Sequence, residues 1–152
     1  MFFFLTALLV IAADQFSKIW VRSNLTIGES LPETGLFRLT YIHNSGAAFG
    51  LFQGQSFSLT IVALIGIVVL LLFVFFSSRH FTFFDNKLNK LALSLVLGGT
   101  IGNLIDRLRM GYVTDFIDIG IWPAFNIADS AITTGVILLA CSLLFLTRTS
   151  KN

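Results

Sequence analysis

Four stretches of the chain are apolar for long enough to cross a bilayer: Phe2 to Val21, Phe57 to Phe76, Leu88 to Ile105 and Ile127 to Leu146. A spanning helix needs roughly 20 mainly apolar residues, because hydrocarbon offers no partner to an unpaired backbone amide and a helix satisfies its own. The second stretch carries no charge from end to end, whereas polar residues interrupt the first and third. Between the first two spans the texture changes. Gly28, Pro32 and Gly35 punctuate it, and Leu36 to Ile42 then carries Phe37, Leu39, Thr40 and Tyr41. That segment predicts short β-structure, which at a membrane surface can rest on the lipid boundary and still offer backbone groups to an extended peptide. Asn44-Ser45-Gly46 predicts a turn, with Ala47, Ala48 and Phe49 after it, and Ser77 to Lys87 predicts a short interfacial connector. The expected architecture is all-α, a single membrane domain over residues 1–152 with four transmembrane helices and a little β-structure in the first loop.

Composition agrees with the pattern. Of 152 residues, 55% are hydrophobic and 12% charged, and the mean hydropathy is +0.87, so a water-soluble globule would lack polar residues to cover it. The net charge of +2 is the balance of ten scattered Lys and Arg against eight Asp and Glu, which gives no sign of a nucleic-acid partner. Arg79, Lys87, Lys90, Arg148 and Lys151 flank one side of the spans, against Arg22, Arg38, Arg107 and Arg109 on the other. The positive-inside rule therefore favours cytoplasmic termini, with the Val21–Ser56 and Asp106–Asn126 segments facing outward. Met1 to Ala13 has the look of a cleavable signal peptide, but it lacks a basic leader and its apolar pattern runs on to Val21. The single cysteine, Cys141, excludes an internal disulfide and a multi-cysteine metal site. Leu138-Leu139-Ala140-Cys141 resembles a lipidation box, yet it lies inside the last span, where a packing thiol is the better reading.

Ionisable groups inside a span cost a few kcal/mol, so each needs a partner or a purpose. Asp14 and Lys18 stand four apart, on one helical face; they form a structural ion pair or reach toward a buried site. Ser94, Gly98 and Gly102 make a stripe that lets another helix approach closely. Asn103, Asp106 and Arg107 follow, and Arg107 can brace an acid or clamp a substrate carbonyl through paired hydrogen bonds, while Asp106 can equally be half of a helix-end charge pair. Asp115 and Asp129 each sit in apolar sequence, where a carboxylate is paired, protonated or functional. For Asp129 a second reading is a capping box with Asn126 at the start of the fourth helix. Nothing basic adjoins Asp115.

If the outer ends of the third and fourth spans meet, Asp115 and Asp129 share a site. Two close carboxylates do not ionise together, so one keeps a proton for a scissile carbonyl while the other activates water. A helix N-terminus favours Asp129 as the base and Asp115 as the acid. His43 and His80 fall in loops on opposite faces, which argues against a His-based metal site or a Ser-His triad. Carboxylates holding Mg²⁺ for phosphoryl chemistry, and a transporter with Asp14, Lys18, Asp106 and Arg107 along a polar path, are the rivals.

The motifs resemble those of the bacterial lipoprotein signal peptidases, also called signal peptidase II. The resemblance rests on Asp14-Gln15-x-x-Lys18, Asn44-x-Gly46-Ala47-Ala48-Phe49, Gly98-Gly99-x-x-Gly102-Asn103-x-x-Asp106-Arg107, Val113-x-Asp115-Phe116 and Phe125-Asn126-Ile127-Ala128-Asp129-Ser130, in that order over nearly the whole chain. It implies a four-helix fold with an outward-facing β cradle from the first loop. It also implies an aspartyl endopeptidase without metal or other cofactor, which cuts diacylglyceryl-modified prolipoproteins just before the lipidated cysteine. The catalytic pair would be Asp115 and Asp129. Asn44, Gly46, Asn103, Asp106, Arg107, Asn126 and Ala128 would line or support the site, with Asp14 and Lys18 behind it. Inhibition by globomycin, a monomer, and a place in the bacterial cytoplasmic membrane with the site toward the outer face complete the expectation.

Overall fold

The computed structural model describes residues 1–46, 51–80 and 86–149; the Ala47-Ala48-Phe49 part of the second motif lies outside them. The elements run α1 (Phe2–Asn24), β1 (Ser30–Leu31), β2 (Arg38–Asn44), α2 (Ser56–His80), α3 (Lys87–Met110), β3 (Val113–Asp118) and α4 (Ile127–Thr149). All four helices are long and apolar enough to cross a membrane. Their turns of chain put the end of α1, the start of α2, the end of α3 and the start of α4 at one end of the bundle, where the strands form an antiparallel sheet in the order β1-β2-β3.

The helix ends follow from local chemistry. Asn86 accepts the Leu88 N–H at 2.8 Å to start α3, and Gly111, at φ +77°, stops it in the left-handed conformation with its N–H on the Arg107 carbonyl. Helix α3 therefore extends past Ile105, where the apolar pattern ends, to Met110, so that Asp106 and Arg107 lie within it as Asn103 does. β3 is a further addition to the expected fold. It supplies a third strand from the second outward loop, paired with β2 so that Ile42 opposes Asp115 and Arg38 opposes Asp118.

Close approach at glycines sets the packing. A Cβ at Gly98 would meet the Ala7 carbonyl and Val10 at 2.8 Å, so the stripe on α3 seats α1. The Gly99 position abuts the Ala128 carbonyl of α4, and a Cβ on Gly102 would stand 2.6 Å from Asp14 Oδ2. Gly135 on α4 faces the Ala92 carbonyl and Val96 in return. Helix α3 is thus the central helix and α2 the peripheral one: 56% of the α3 span is buried against 11% of α2, which presents Ile61, Val68 and Phe73 outward. An apolar core of Val21, Leu25, Tyr41 and Phe116 binds the sheet to the end of α1.

Two glycine substitutions separate these roles. Among the described residues nothing lies within 4 Å of a Cβ at Gly66 on α2, so Gly66→Ala should gain about 0.5–1 kcal/mol from helix propensity. Gly99→Ala should lose about 1–3 kcal/mol through overpacking. Thermal unfolding in detergent micelles, followed by circular dichroism, measures both; a Gly99→Ala protein as stable as wild type would remove the close-packing argument.

Candidate active site

The sheet end of the bundle encloses a cavity of about 870 Å³, lined among others by Asn44, Asn103, Arg107, Asp115, Trp122 and Asp129. Asp115 enters from β3 and is 2% exposed. Its Oδ2 accepts a hydrogen bond from Asn44 Nδ2 at 2.8 Å and its Oδ1 accepts one from Asn126 Nδ2 at 2.7 Å. Asp129 enters from the first turn of α4. Its Oδ1 accepts from Asn103 Nδ2 at 2.8 Å and its Oδ2 from the Asn126 backbone N–H at 3.2 Å. Asn126 returns the bond by accepting the Asp129 N–H at 2.9 Å. The capping box foreseen at this position is present, and the same carboxylate lines the cavity. A structural role and a place in the site are therefore compatible.

The asparagines cannot turn freely. The Asn44 carbonyl takes the Gly46 N–H at 2.9 Å, and that of Asn126 takes the Asp129 N–H. A backbone N–H can only donate, so each amide must keep its oxygen there and turn its NH₂ group to Asp115. The Asn126 NH₂ also reaches the Thr114 carbonyl at 3.3 Å and Asn103 Oδ1 at 3.1 Å, tying β3, α3 and α4 together.

Behind the cavity lies a buried ionic network. Lys18 Nζ stands 2.9 Å from Asp14 Oδ2 and 3.3 Å from Asp106 Oδ2, with all three side chains at most 1% exposed. It also donates to Asn103 Oδ1 at 2.8 Å. The ion pair of Asp14 with Lys18 is thus real and also touches the wall of the cavity. Asp14 Oδ1 accepts the Ala128 N–H at 3.0 Å, so α1 caps α4 from outside. Asp106 accepts the Thr114 N–H at 3.0 Å and faces Arg22 at 3.5 Å. Arg107 holds the Gly46 carbonyl at 3.1 Å, and its buried Nε has no partner among the described residues.

Gln15, Arg22 and Thr114, none of them a candidate site residue from the sequence, also belong to this network. Gln15 Nε2 reaches Asp14 Oδ2 at 3.2 Å and Asp106 Oδ1 at 3.3 Å, and Arg22 donates to the Thr114 hydroxyl at 2.9 Å. Gln15 and Thr114 adjoin recognised acids, which was the available signal; Arg22 looked like a flanking charge. His43, which the sequence puts in a loop, is on β2 and lines the cavity, with its ring stacked on Tyr112 at 3.6 Å and its Nε2 2.8 Å from the Tyr41 hydroxyl.

Electrostatics sets Asp115 apart. Burial, with the Asp129 charge in addition, pushes its carboxyl up from 3.8 to about 7, against the amide bonds from Asn44 and Asn126 and the Lys18 charge. His43 is held below its usual value by burial and by the Arg22 charge.

A family model described as signal peptidase (SPase) II matches residues 6–145. The chain is 49% identical over 143 residues to a lipoprotein signal peptidase of Moorella thermoacetica, covering 93% of this chain and 92% of that protein. It is 47% identical over 145 residues to one of Dehalococcoides mccartyi, covering 95% and 89%. A solved structure described as a bacterial membrane enzyme superposes with a TM-score of 0.82 at 35% identity, covering 94% of this chain and 87% of that one. With four spans and this likeness, the chain is a multi-pass membrane protein.

The Asp115 environment predicts a pH slope in stability. Between pH 3.8 and about 7 the folded chain holds a proton on Asp115 that the unfolded chain has lost, so stability falls as pH rises, by roughly 1.4 kcal/mol per unit at most. Asp115→Asn removes that slope. Its stability relative to wild type should rise by about 2–4 kcal/mol from pH 4.5 to pH 8 in micelle unfolding measurements; a difference independent of pH would contradict the burial argument.

Proposed function

Because the chain belongs to the signal peptidase II family and is a peptidase, we propose that it removes the signal peptide from diacylglyceryl-modified prolipoproteins, cutting before the lipidated cysteine with Asp115 and Asp129. The observation that supports this most is that the two carboxylates, from different elements, line one cavity and are bridged by a single residue, Asn126.

In this reading Asp115 starts the reaction protonated and Asp129 ionised. Asp129 takes a proton from water, the resulting hydroxide attacks the scissile carbonyl carbon, and Asp115 gives its proton to the carbonyl oxygen. When the tetrahedral intermediate collapses, Asp129 passes its proton to the leaving nitrogen and Asp115 recovers one from the intermediate's hydroxyl. The pair ends as it began. Asn44 and Asn126 support the charge that Asp115 carries midway, and the position of Asp129 in the first turn of α4 favours negative charge there. In this reading the Arg107 guanidinium, which lines the same cavity as both acids, would hold a substrate carbonyl.

A cavity at the end of the spans suits a substrate held in the membrane by its lipid. The scissile bond would diffuse in the plane at the depth of the site, and the acyl chains would enter sideways between helices. The orientation that puts this end toward the outer face of the cytoplasmic membrane belongs to the same proposal, as do action as a monomer and inhibition by globomycin.

The test is cleavage of a diacylglyceryl-modified prolipoprotein peptide beside its unlipidated twin, with chelator present. Wild type should cut only the lipidated peptide, and globomycin should stop it. Asp115→Asn and Asp129→Asn, shown to be folded, should each lose at least about 10³-fold in kcat/KM. Full activity of either variant, or loss of activity on chelation, would remove the dyad.

A further inference from the structure

The amide of Asn103 lies between a cation and an acid. Its Oδ1 accepts from Lys18 Nζ at 2.8 Å and from Asn126 Nδ2 at 3.1 Å, while its Nδ2 donates to Asp129 Oδ1 at 2.8 Å. An ammonium has three protons and no lone pair, so it can meet only the oxygen of an amide. The three protons of the fully buried Lys18 have three acceptors: Asp14 Oδ2, Asp106 Oδ2 and Asn103 Oδ1. Turning the Asn103 amide over would set its NH₂ against the Lys18 ammonium and the Asn126 NH₂. It would also set its carbonyl oxygen against the Asp129 carboxylate.

Charge balance does not require the third contact. Asp14 and Asp106 already face Lys18 and Arg22, two charges against two. The contact to a neutral amide therefore asks for another reason, and what that amide does next is to donate to Asp129.

We infer that Lys18 is a positioning residue for the reaction: by holding the carbonyl of Asn103 it turns that amide's N–H to Asp129, and so keeps the aspartate pair in the singly ionised form that hydrolysis needs. The inference rests on the dyad reading above. Lys18 is not among the residues lining the cavity, so it acts through Asn103 and not on substrate. The charged groups around this relay are Asp14 and Arg22 on α1, Asp106 and Arg107 on α3, Asp115 on β3 and Asp129 on α4.

Lys18→Met alone would leave Asp14 and Asp106 buried without their ammonium, so the variant to make is Asp14→Asn/Lys18→Met, which removes one charge of each sign. Asp14→Asn is its reference. The readout is kcat/KM against pH from 4.5 to 8.5 on the lipidated peptide, with circular dichroism to establish folding. The acid limb of the double variant should lie about one pH unit above that of Asp14→Asn, so that activity is lower by up to about tenfold along the acid limb and within about threefold at pH 8. Asn103→Asp keeps Lys18 and its ion pairs but puts an oxygen where the N–H stood. Its acid limb should move the same way relative to wild type, and it decides the matter should the double variant not fold. A folded double variant whose profile overlays that of Asp14→Asn, or an Asn103→Asp profile that overlays wild type, overturns the inference. In either case inactive Asp115→Asn and Asp129→Asn proteins would leave the dyad standing, whereas activity in those two would remove the dyad itself.

Discussion

A helix that begins at a membrane surface starts with N–H groups that have no carbonyl to meet, and in a low-dielectric setting each one left unpaired costs several kcal/mol. At the start of α4 two of them are met by side chains. Asn126 receives the Asp129 N–H, and Asp14, from another helix 114 positions away in sequence, receives the Ala128 N–H at 3.0 Å. The second bond is possible only because α1, α3 and α4 touch at backbone distance. Ala128 has no side chain beyond Cβ, Gly102 leaves room for the Asp14 carboxylate, and Gly99 admits the Ala128 carbonyl. The small residues and the buried acid are therefore one arrangement: neither would be tolerated without the other.

The rest of the polar network follows from placing that acid. A carboxylate at 0% exposure needs a cation. Lys18, one turn on, supplies it, and its remaining protons call for Asp106 and Asn103 on α3. Asp106 then accepts the Thr114 N–H and so fixes where β3 leaves α3. β3 in turn carries Asp115 to the cavity, opposite the Ile42 position of β2 and within reach of Asn44. Each step satisfies a buried group by calling on the next element. The result is a site held by hydrogen bonds to two helices, a sheet and a turn, with few degrees of freedom left for its side chains.

Much of this was legible in the amino-acid sequence, and for definite reasons. Spans leave a strong signal because about twenty apolar residues are a long pattern, and all four were placed. Asp14, Lys18, Asp115 and Asp129 stood out because charge in apolar sequence is costly. What the pattern concealed were features that depend on distant partners. Asp106 and Arg107 fall beyond Ile105, where their polarity ends the apolar pattern, yet Lys18, Arg22 and the Gly46 carbonyl supply partners that let the helix continue to Met110. β3 was missed because Val113–Asp118 is buried nearly throughout and so lacks the alternation of a half-exposed strand. The stacking of His43 on Tyr112 joins residues 69 positions apart, across the β2–β3 pairing, and no spacing rule announces it.

The two aspartates reach the cavity on different supports, and on the proposed mechanism that difference would make an acid and a base out of identical side chains. Asp115 stands on a buried strand, where two side-chain amides and the more distant Lys18 charge compensate its own, and burial together with the Asp129 charge lifts its carboxyl to about 7. Asp129 stands in the first turn of a helix and takes one backbone N–H and one amide proton, in the field of the helix N-terminus. With the Asp129 charge beside it, the buried Asp115 holds its proton to higher pH than an exposed carboxyl would. On the proposed mechanism, water activation belongs to the helix-borne carboxylate and protonation of the carbonyl to the strand-borne one, so the division of labour is already present in which element each residue occupies.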